Sequence, residues 1–457
     1  MSTKSASFIN DLTEGSVAKK LLYFAFPFML SNLLQTVYNL VDMSVVGHFM
    51  GSAGLSAVST GGRLVELLTF VCTGFCTGGQ ILLSQQVGAK KHSEMQKTIG
   101  TLFSFTMLSA IVLGILSIVF HNDLLRLLNT PESAFQEAAE YMVICNSGCI
   151  FIFGYNALCS ILRGMGDSKR PLVFVAIASV VNLILDLIFV AGFGMGAAGA
   201  AIATVISQAI SFLSALIYLI VKRESFGFTF SRASLKIHGP TLKILTKLGV
   251  PLAFQMAAIS ISMLFVNSFV NAYGEAASAV YGAGLKLQNI PSIITHGMST
   301  ANASVVGQNM AAGRPDRVKK SVHTCFVLNG CVYGVFILAC LLFPRQIFTL
   351  FTTDEAVLAL APTYLRISCI GFAASIFNSS FNSVINGIGF TSLSMAIGLL
   401  DSVVARISLS LLLGITLGFG LNGFFLGHAL AIWVTALMAF GYYLSGRWQH
   451  YKLAVQK

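Results

Sequence analysis

Charged residues are scarce in this sequence. They make up 10% of its 457 residues, whereas a soluble domain usually has about 25%. Hydrophobic residues account for 55%, and the mean hydropathy is +0.80. No polar stretch is long enough for a separate soluble domain, since the longest covers only 221–247. These shortages exclude an ordinary soluble protein and indicate an integral membrane protein.

Three further absences limit the classes of protein that the sequence can encode. The first twenty residues are polar, so no cleaved signal peptide is evident and we expect the first span to be permanent. Neither of the helically spaced cysteine pairs, Cys72/Cys76 and Cys145/Cys149, has a histidine beside it, which favours packing over metal binding. We find no nucleophile–base pair either, and therefore expect neither an enzyme nor a cofactor.

Twelve apolar runs are long enough to cross a membrane. A helix needs about 20 apolar residues for a hydrocarbon core of roughly 30 Å, whereas barrel strands would be shorter and alternate in polarity. The sequence therefore predicts twelve transmembrane helices. Their ranges are 21–47, 54–82, 98–120, 138–161, 172–192, 196–221, 248–271, 278–306, 322–344, 360–385, 392–416 and 421–445.

The net charge of +11 lies in short segments between these runs. The N-terminus, every second loop and the C-terminal tail are basic, and the loop between the third and fourth runs is acidic. The positive-inside rule then predicts a multi-pass protein of the cell membrane with both termini in the cytoplasm. The same distribution argues against nucleic acid as a partner.

The two halves of the sequence resemble each other. The segment "SILRGMGDSKRPL" (160–172) aligns with "SVINGIGFTSLSM" (383–395), and Pro27 aligns with Pro251 at an offset of 224. Because each copy holds six predicted spans, an even number, both copies enter the membrane from the same side and form a parallel repeat.

This repeat predicts an all-α membrane protein of twelve helices in two six-helix lobes. We expect an N-terminal lobe with a cation site at 1–221, a cytoplasmic linker at 222–247 and a C-terminal lobe at 248–457. Two lobes around a cleft are suited to alternating access, and we expect the protein to be a monomer.

Two carboxylates interrupt apolar runs with an amide one helical turn away. In the first run Gln35, Asn39 and Asp42 follow one stripe of a helix, and in the fifth Asn182 and Asp186 are four residues apart. Ionisable side chains inside spans are rare and mark candidate functional sites. We therefore interpret both acids as parts of one site, with a structural polar network between helices as the alternative.

Such a cluster suits a cation. Carboxylates removed from water take up a proton or hold Na⁺ with neighbouring amide and hydroxyl oxygens, and Thr204 in the sixth run adds a hydroxyl. The second half lacks the acids, because Val266, Ser410 and Arg406 stand at the positions that correspond to Asp42, Asp186 and Asn182. The sequence thus predicts ion chemistry in the N-terminal lobe alone.

Two other acids lie within predicted spans. Glu66 is three residues from Arg63, which predicts an internal ion pair. Asp401 is five residues from Arg406, a spacing that favours a direct pair on one α-helical face less than a spacing of three does. Whether these acids are functional or structural stays open.

The sequence resembles the MATE (multidrug and toxic compound extrusion) transporters over essentially its whole length. The resemblance rests on "PFMLSNLLQTVYNLVDMSVVGHFMG", "SQQVGAKK", "ILRGMGDSKRP" and "NLILDLIFVAGFGMGAAGAAIAT". It implies twelve helices in two lobes, and efflux of cationic and amphipathic compounds driven by H⁺ or Na⁺.

The resemblance also implies roles for individual residues. By their place in its motifs, six correspond to family site residues or to the first-helix hinge: Asp42, Tyr38, Asn182, Asp186, Thr204 and Pro27. Asn156, five residues before the segment "ILRGMGDSKRP", corresponds to a fourth-helix asparagine of the family. One branch of the family, the NorM-like, has acids in the seventh and tenth helices, where this sequence has Gln255 and no acid. The departure points to the DinF-like branch and agrees with a cation site in the N-terminal lobe.

These observations lead to the hypothesis of a cation-coupled efflux antiporter, with H⁺ or Na⁺ as the coupling ion and membrane lipid around it. We expect substrate to contact polar and methionine side chains between the lobes, namely Gln35, Gln255, Met256, Met263 and Met298. The alternative is a lipid-linked saccharide flippase. That function calls for several cavity cations, and the candidates we consider within the spans are few, namely Arg63, Lys286 and Arg406. Substrate identity stays open.

Overall fold

The computed structural model describes residues 10–128, 130–223, 228, 231 and 233–456, without the side chains of 51–53 and 55. The described chain is helical and contains no strand. Part of the predicted linker 222–247 lies outside the described residues. The helices are α1 (Val17–Gly88), α2 (His92–Val119), α3 (His121–Leu127), α4 (Glu132–Ser147), α5 (Cys149–Gly164), α6 (Lys169–Asp186), α7 (Gly196–Val221), α8 (Gly239–Asn271), α9 (Glu275–Ala311), α10 (Pro315–Leu342), α11 (Pro344–Thr349), α12 (Glu355–Gly387), α13 (Thr391–Leu399), α14 (Ile407–Leu411) and α15 (Gly420–Leu444).

Three π-helical segments and two 3₁₀ turns complete the described elements. The π segments are Leu187–Gly192, Leu400–Arg406 and Leu412–Thr416, and the 3₁₀ turns are Arg447–His450 and Ala454–Gln456. A π segment bonds each N–H to the carbonyl five residues earlier, and such segments occur frequently at functional sites.

The helices confirm the predicted all-α membrane fold. In the described chain, ten helical stretches are long and apolar enough to cross a membrane, and α4 with α5, bent by 49°, counts as an eleventh. The remaining predicted run, 278–306, lies in α9, which is helical throughout but does not reach the same apolarity. The reason is a set of polar side chains along it, including Lys286 and His296.

The first two predicted spans belong to one continuous helix. The sequence separates 21–47 from 54–82, whereas α1 keeps its helical hydrogen bonding over 72 residues. A straight helix of that length would extend about 108 Å, more than three times the hydrocarbon core of about 30 Å. Within α1, two stretches, Val17–Met50 and Ser56–Gly88, are each long enough to cross a membrane.

Packing divides the chain into two compact units. The first unit holds Leu30–Ala253 and the described residues up to Asp11, and the second holds Leu12–Met29 and the chain from Phe254 onwards. The sequence-based boundaries at 221/222 and 247/248 remain predictions. The packing units differ from them in two respects. The first part of α1 packs in the second unit, and the described part of the linker packs in the first unit together with the first part of α8.

Specific contacts fix both exchanged segments. The start of α1 places Leu21 and Phe24 in an apolar cluster with Met298 and Val305 of α9. The start of α8 lies so close to α1 that a Cβ on Gly74 would lie 2.9 Å from the Gly249 carbonyl oxygen. Small residues at such helix contacts allow backbones to approach closely inside a membrane.

The predicted repeat is visible in the backbone. Glycines with positive φ recur at matching positions in the two halves, as do two of the π segments. The matched glycines are Gly166 (φ 85°) and Gly389 (79°), Gly194 (65°) and Gly418 (71°), and Gly196 (60°) and Gly420 (56°). Only glycine adopts this conformation without strain. The segment Leu187–Gly192 matches Leu412–Thr416 at the offset of 224, to within one residue.

Candidate functional site

The acids of the first and fifth predicted spans lie together inside the first unit. Asp42, on α1, is 9% exposed, and Asp186, the last residue of α6, is 0% exposed. Their carboxyl groups are within hydrogen-bonding reach of each other. A hydrogen bond between two carboxyl groups needs a proton on one of them, because two carboxylates offer no donor. Two buried carboxylates this close repel each other, so the arrangement favours protonation of one of them or a cation beside them.

The backbone around Asp186 changes helix type at that residue. The α-helical bonding of α6 ends at Asp186, and the π segment Leu187–Gly192 begins with the next residue. Four residues earlier on the same face lies Asn182, which is fully buried. The amide and the carboxylate thus point to the same place, as their spacing predicts.

Six buried polar atoms of this cluster have no hydrogen-bond partner in the described structure. They are Asp42 Oδ1, Asn182 Oδ1 and Nδ2, Asp186 Oδ1 and Oδ2, and Thr204 Oγ1. Buried polar groups are nearly always paired, since an unpaired one is costly. Five of the six are oxygens. Oxygen atoms are the usual ligands of Na⁺, and a carboxylate oxygen can accept a proton.

No group of three His, Cys, Asp or Glu side chains in the described chain is arranged to hold a metal ion. A Na⁺ ion at this cluster would therefore draw on the Asn182 amide and the Thr204 hydroxyl in addition to the two carboxylates. Those oxygens are buried and free of other bonds, so the residues present fit Na⁺ as well as a proton.

A tyrosine connects three helices at the cluster. The Tyr38 phenol of α1 lies beside Thr204 of α7 and near both carboxylates. Tyr141 and Cys145 of α4 also lie within electrostatic range of Asp42. Sequence reasoning missed these two as site residues. Their spacing of four residues was a signal that they share one helix face.

An apolar cluster surrounds the acids. Val46, Val58, Val190, Ala197 and Ala200 pack with Tyr141 and Cys145 from α1, α4, α7 and the π segment. Such surroundings exclude water and strengthen electrostatic interactions. Binding a single positive charge at the two carboxyl groups is therefore expected to have a large effect on the conformational energy of this unit.

Other sequence-predicted residues lie apart from the cluster. Gln35 and Asn39 are exposed side chains of α1. Asn156 donates to the Ile152 carbonyl of its own helix at 2.8 Å. Pro27 lies in the portion of α1 that packs in the second unit. Their functional roles stay predictions.

The predicted substrate contacts differ in accessibility. Gln255 accepts a hydrogen bond from Ser394 at 3.1 Å, and Met256 and Met263 are partly buried. Met298 is buried in the apolar cluster that receives the start of α1. The structure therefore gives Met298 a packing role, which its sequence position did not reveal.

The two remaining acids depart from expectation in opposite ways. Arg63 and Glu66 are both exposed and form no ion pair, so that prediction is wrong. Arg406 Nη2 donates to Asp401 Oδ1 at 3.2 Å and to Oδ2 at 3.0 Å, although this was the less expected of the two pairs. The π segment Leu400–Arg406 explains the pair, because its wider turn brings residues five apart onto one face.

Comparison with known proteins agrees with the repeat. A sequence model of the MatE family matches residues 27–188 and 251–412, two copies separated by 224 residues at both ends. The probable multidrug resistance protein YoeA of Bacillus subtilis is 31% identical over 94% of each chain, and YpnP of the same species is 30% identical over 98% of this chain and 99% of its own.

Solved structures share the fold. A MOP superfamily transporter from Pyrococcus furiosus superposes with a TM-score of 0.90 at 22% identity, over 99% of this chain and 100% of its own. The proteins compared are named as resistance proteins or transporters, and none is described as an enzyme. With the family match over both repeats, the chain belongs to the MatE family.

Proposed function

We propose that this protein is a cation-coupled multidrug efflux antiporter that exports cationic and amphipathic small molecules by alternating access. The names of its relatives support multidrug efflux. The observation that carries the coupling is the contact between Asp42 and Asp186 amid six unpaired buried polar atoms. Burying this many unpaired polar atoms is costly in free energy unless a positive charge binds among them.

The direct contact of the carboxyl groups favours H⁺ over Na⁺ as the coupling ion. One proton supplies the donor that the pair lacks and leaves a single negative charge shared between two residues. Sodium would need several oxygens around it, which the amide and hydroxyl could supply.

Ion binding would change the affinity for substrate through a change in the conformation of α1. This helix carries both Pro27 and Asp42, and it passes from the second unit into the first between Met29 and Leu30. A proline removes one backbone hydrogen bond, so bending a helix there costs less than elsewhere. Neutralising the acids would change the bend of α1 near Pro27 and weaken substrate binding on the outward side.

A second helix repeats this arrangement. Pro251 lies inside α8, which passes from the first unit into the second between Ala253 and Phe254. Each proline thus precedes the crossing by two residues. The paired crossings fit an alternating-access transporter in which two helices bend as the state changes.

The location follows the same reasoning. A multi-pass protein with basic segments at both ends fits the plasma membrane with both termini in the cytoplasm, surrounded by lipid and acting as a monomer. The saccharide flippase gains no support, because Arg406 is already paired with Asp401 and the relatives are named as multidrug resistance proteins.

Dye efflux from proteoliposomes tests the proposal. Purified protein is reconstituted, the vesicles are loaded with a cationic fluorescent dye, and a pH gradient is imposed first, then a Na⁺ gradient without a pH difference. We expect the pH gradient to drive efflux and protein-free liposomes to show none. Efflux that ignores both gradients would contradict cation coupling.

A further inference from the structure

The second unit contains a buried polar cluster at the positions where the first unit has its cation site. Three residues of the cation cluster have counterparts 224 residues later. Asn182 corresponds to Arg406, Asp186 to Ser410 and Thr204 to His428. As in the first unit, a π segment follows closely, since Leu412–Thr416 begins two residues after Ser410. The two halves of the repeat share this backbone arrangement but have different side chains at the corresponding positions.

Arg406 is the centre of this second cluster. It is 3% exposed, and of its three guanidinium nitrogens only Nη2 is bonded, to the two oxygens of Asp401. Nε and Nη1 have no partner. An arginine side chain carries five N–H bonds, so three of them are buried and unused. Unmade hydrogen bonds of a buried cation are costly.

Ser410 and His428 add further unpaired groups. Ser410 is 1% exposed and one helical turn after Arg406, and His428 is 7% exposed and lies near the Arg406 charge. Their helices touch closely, because a Cβ on Gly427 would lie 2.7 Å from Ser410 Oγ. Neither Ser410 Oγ nor His428 Nε2 has a hydrogen-bond partner.

The hydrogen bond at His428 Nδ1 indicates whether the unbonded Nε2 is a donor or an acceptor. His428 Nδ1 lies 3.3 Å from the Tyr281 hydroxyl. When Tyr281 donates its O–H to Nδ1, the neutral ring carries its hydrogen on Nε2. The free nitrogen is then a donor, like the guanidinium N–H bonds and the serine hydroxyl around it.

A set of buried donors without acceptors is the chemistry of an anion site. We propose that Arg406, Ser410 and His428 bind a small monovalent anion, chloride or bromide, inside the second unit. The ion accepts hydrogen bonds from an unpaired guanidinium N–H, from the serine hydroxyl and from the imidazole. Asp401 holds the guanidinium in place through Nη2 and leaves its other nitrogens free.

Charge limits which anions fit. Asp401 cancels the charge of Arg406, so the cluster holds no excess positive charge while His428 is neutral. A divalent phosphate or sulfate would bring two buried negative charges with nothing to balance them. A halide brings one, and a cluster of charge-assisted donors stabilises it.

Thermal unfolding of the purified full-length protein in detergent tests the site without any transport step. The melting temperature is followed by tryptophan fluorescence at constant ionic strength while sodium gluconate is replaced by sodium chloride or bromide. We expect saturable stabilisation by either halide, and none by sulfate beyond that of gluconate. Equal melting temperatures in all the salts would overturn the proposal.

Matched variants locate the ion. Ser410→Ala removes one donor to a charged ligand, which should weaken the apparent halide affinity by about tenfold or more. Ser402→Ala is the control, because Ser402 is buried on the neighbouring π segment but its hydroxyl already donates to Gly398 O at 2.7 Å. Ser402→Ala should bind halide as the unaltered protein does. If both variants bind alike, the ion does not sit at Ser410.

A third variant separates the site from simple stability. Arg406→Lys keeps a cation beside Asp401 but loses Nε and Nη1, so the protein should fold and lose its halide response. Crystals grown in bromide should show anomalous density beside Arg406. Anomalous density elsewhere with none at Arg406 would overturn the assignment, whatever the outcome of the efflux experiments.

Discussion

The carboxyl groups of Asp42 on α1 and Asp186 on α6 lie within hydrogen-bonding reach of each other. Both side chains are buried, and neither is bonded to a basic side chain. Asp401, by contrast, has Arg406 at 3.0 Å. Among the described residues, Asp401 and Asp167 are thus buried acids with a permanent counter-charge, whereas Asp42 and Asp186 form a pair of buried acids without one. Only the second arrangement leaves room for an exchangeable cation.

Thr204→Val distinguishes the two possible coupling ions. The change removes an unpaired buried hydroxyl of nearly the same size. Because a proton needs only the two carboxyl groups, we expect pH-driven efflux to stay within about twofold. A Na⁺ site would lose a ligand, and efflux would fall by about tenfold or more. The measurement is initial efflux rate in proteoliposomes.

Pro27→Ala tests bending of α1. Alanine restores the backbone N–H that proline lacks and favours an unbent helix. We expect efflux to fall at least about tenfold while the melting temperature stays the same or rises. Pro362→Ala in α12, a proline inside a helix that stays within one unit, is the control and should transport normally. Unchanged efflux by Pro27→Ala would rule out a bend at this proline as part of the cycle.

The Asp401–Arg406 pair should behave as a buried ion pair. Arg406→Met leaves Asp401 buried and unpaired, which should lower the free energy of unfolding by about 3–5 kcal/mol. Adding Asp401→Asn should recover most of that loss, because no buried charge remains. Thermal melts of the two single variants and the double variant give the coupling, and strictly additive losses would contradict a direct pair.

Gly74→Ala tests the packing of α8 against α1 in the first unit. The added methyl would lie 2.9 Å from Gly249 O and 2.8 Å from Ala253 Cβ, so we expect a loss of about 1–3 kcal/mol. Gly330→Ala in α10 meets nothing within 4 Å and should be neutral or stabilising by up to about 1 kcal/mol. Melting temperatures in detergent compare the two, and equal effects would mean that α8 does not pack there.

Much of the fold could be predicted from the sequence because a membrane leaves few choices. Run length and hydropathy give helices, and the matched glycines and prolines give the repeat. The merging of two spans into α1 could not be predicted, because residues 51–54 are Gly, Ser, Ala and Gly, small residues that are typical of a loop. The exchange of the first parts of α1 and α8 also leaves no mark in composition, since it depends on contacts between distant residues.

The site residues that could be predicted from the sequence are those whose polarity differs from that of the neighbouring residues. Asp42, Asn182 and Asp186 are polar in apolar runs, and helical spacing groups them. Tyr141 and Cys145 look like ordinary packing residues, so their place beside Asp42 appears only in three dimensions. The Asp401–Arg406 pair was less expected than the Arg63–Glu66 pair because the rule for α-helices was applied to a stretch that folds as a π segment.

The most direct test of the account is proton-driven efflux by Asp42→Asn and Asp186→Asn. Asp167→Asn serves as the control, because Asp167 is buried in the same unit but bonded to Arg170 at 3.0 Å, and asparagine preserves its capping hydrogen bonds to the start of α6. In proteoliposomes under a pH gradient, we expect both site variants to drop to the rate of protein-free vesicles and the control to match the unaltered protein. Undiminished proton-driven efflux by either site variant would contradict the central claim.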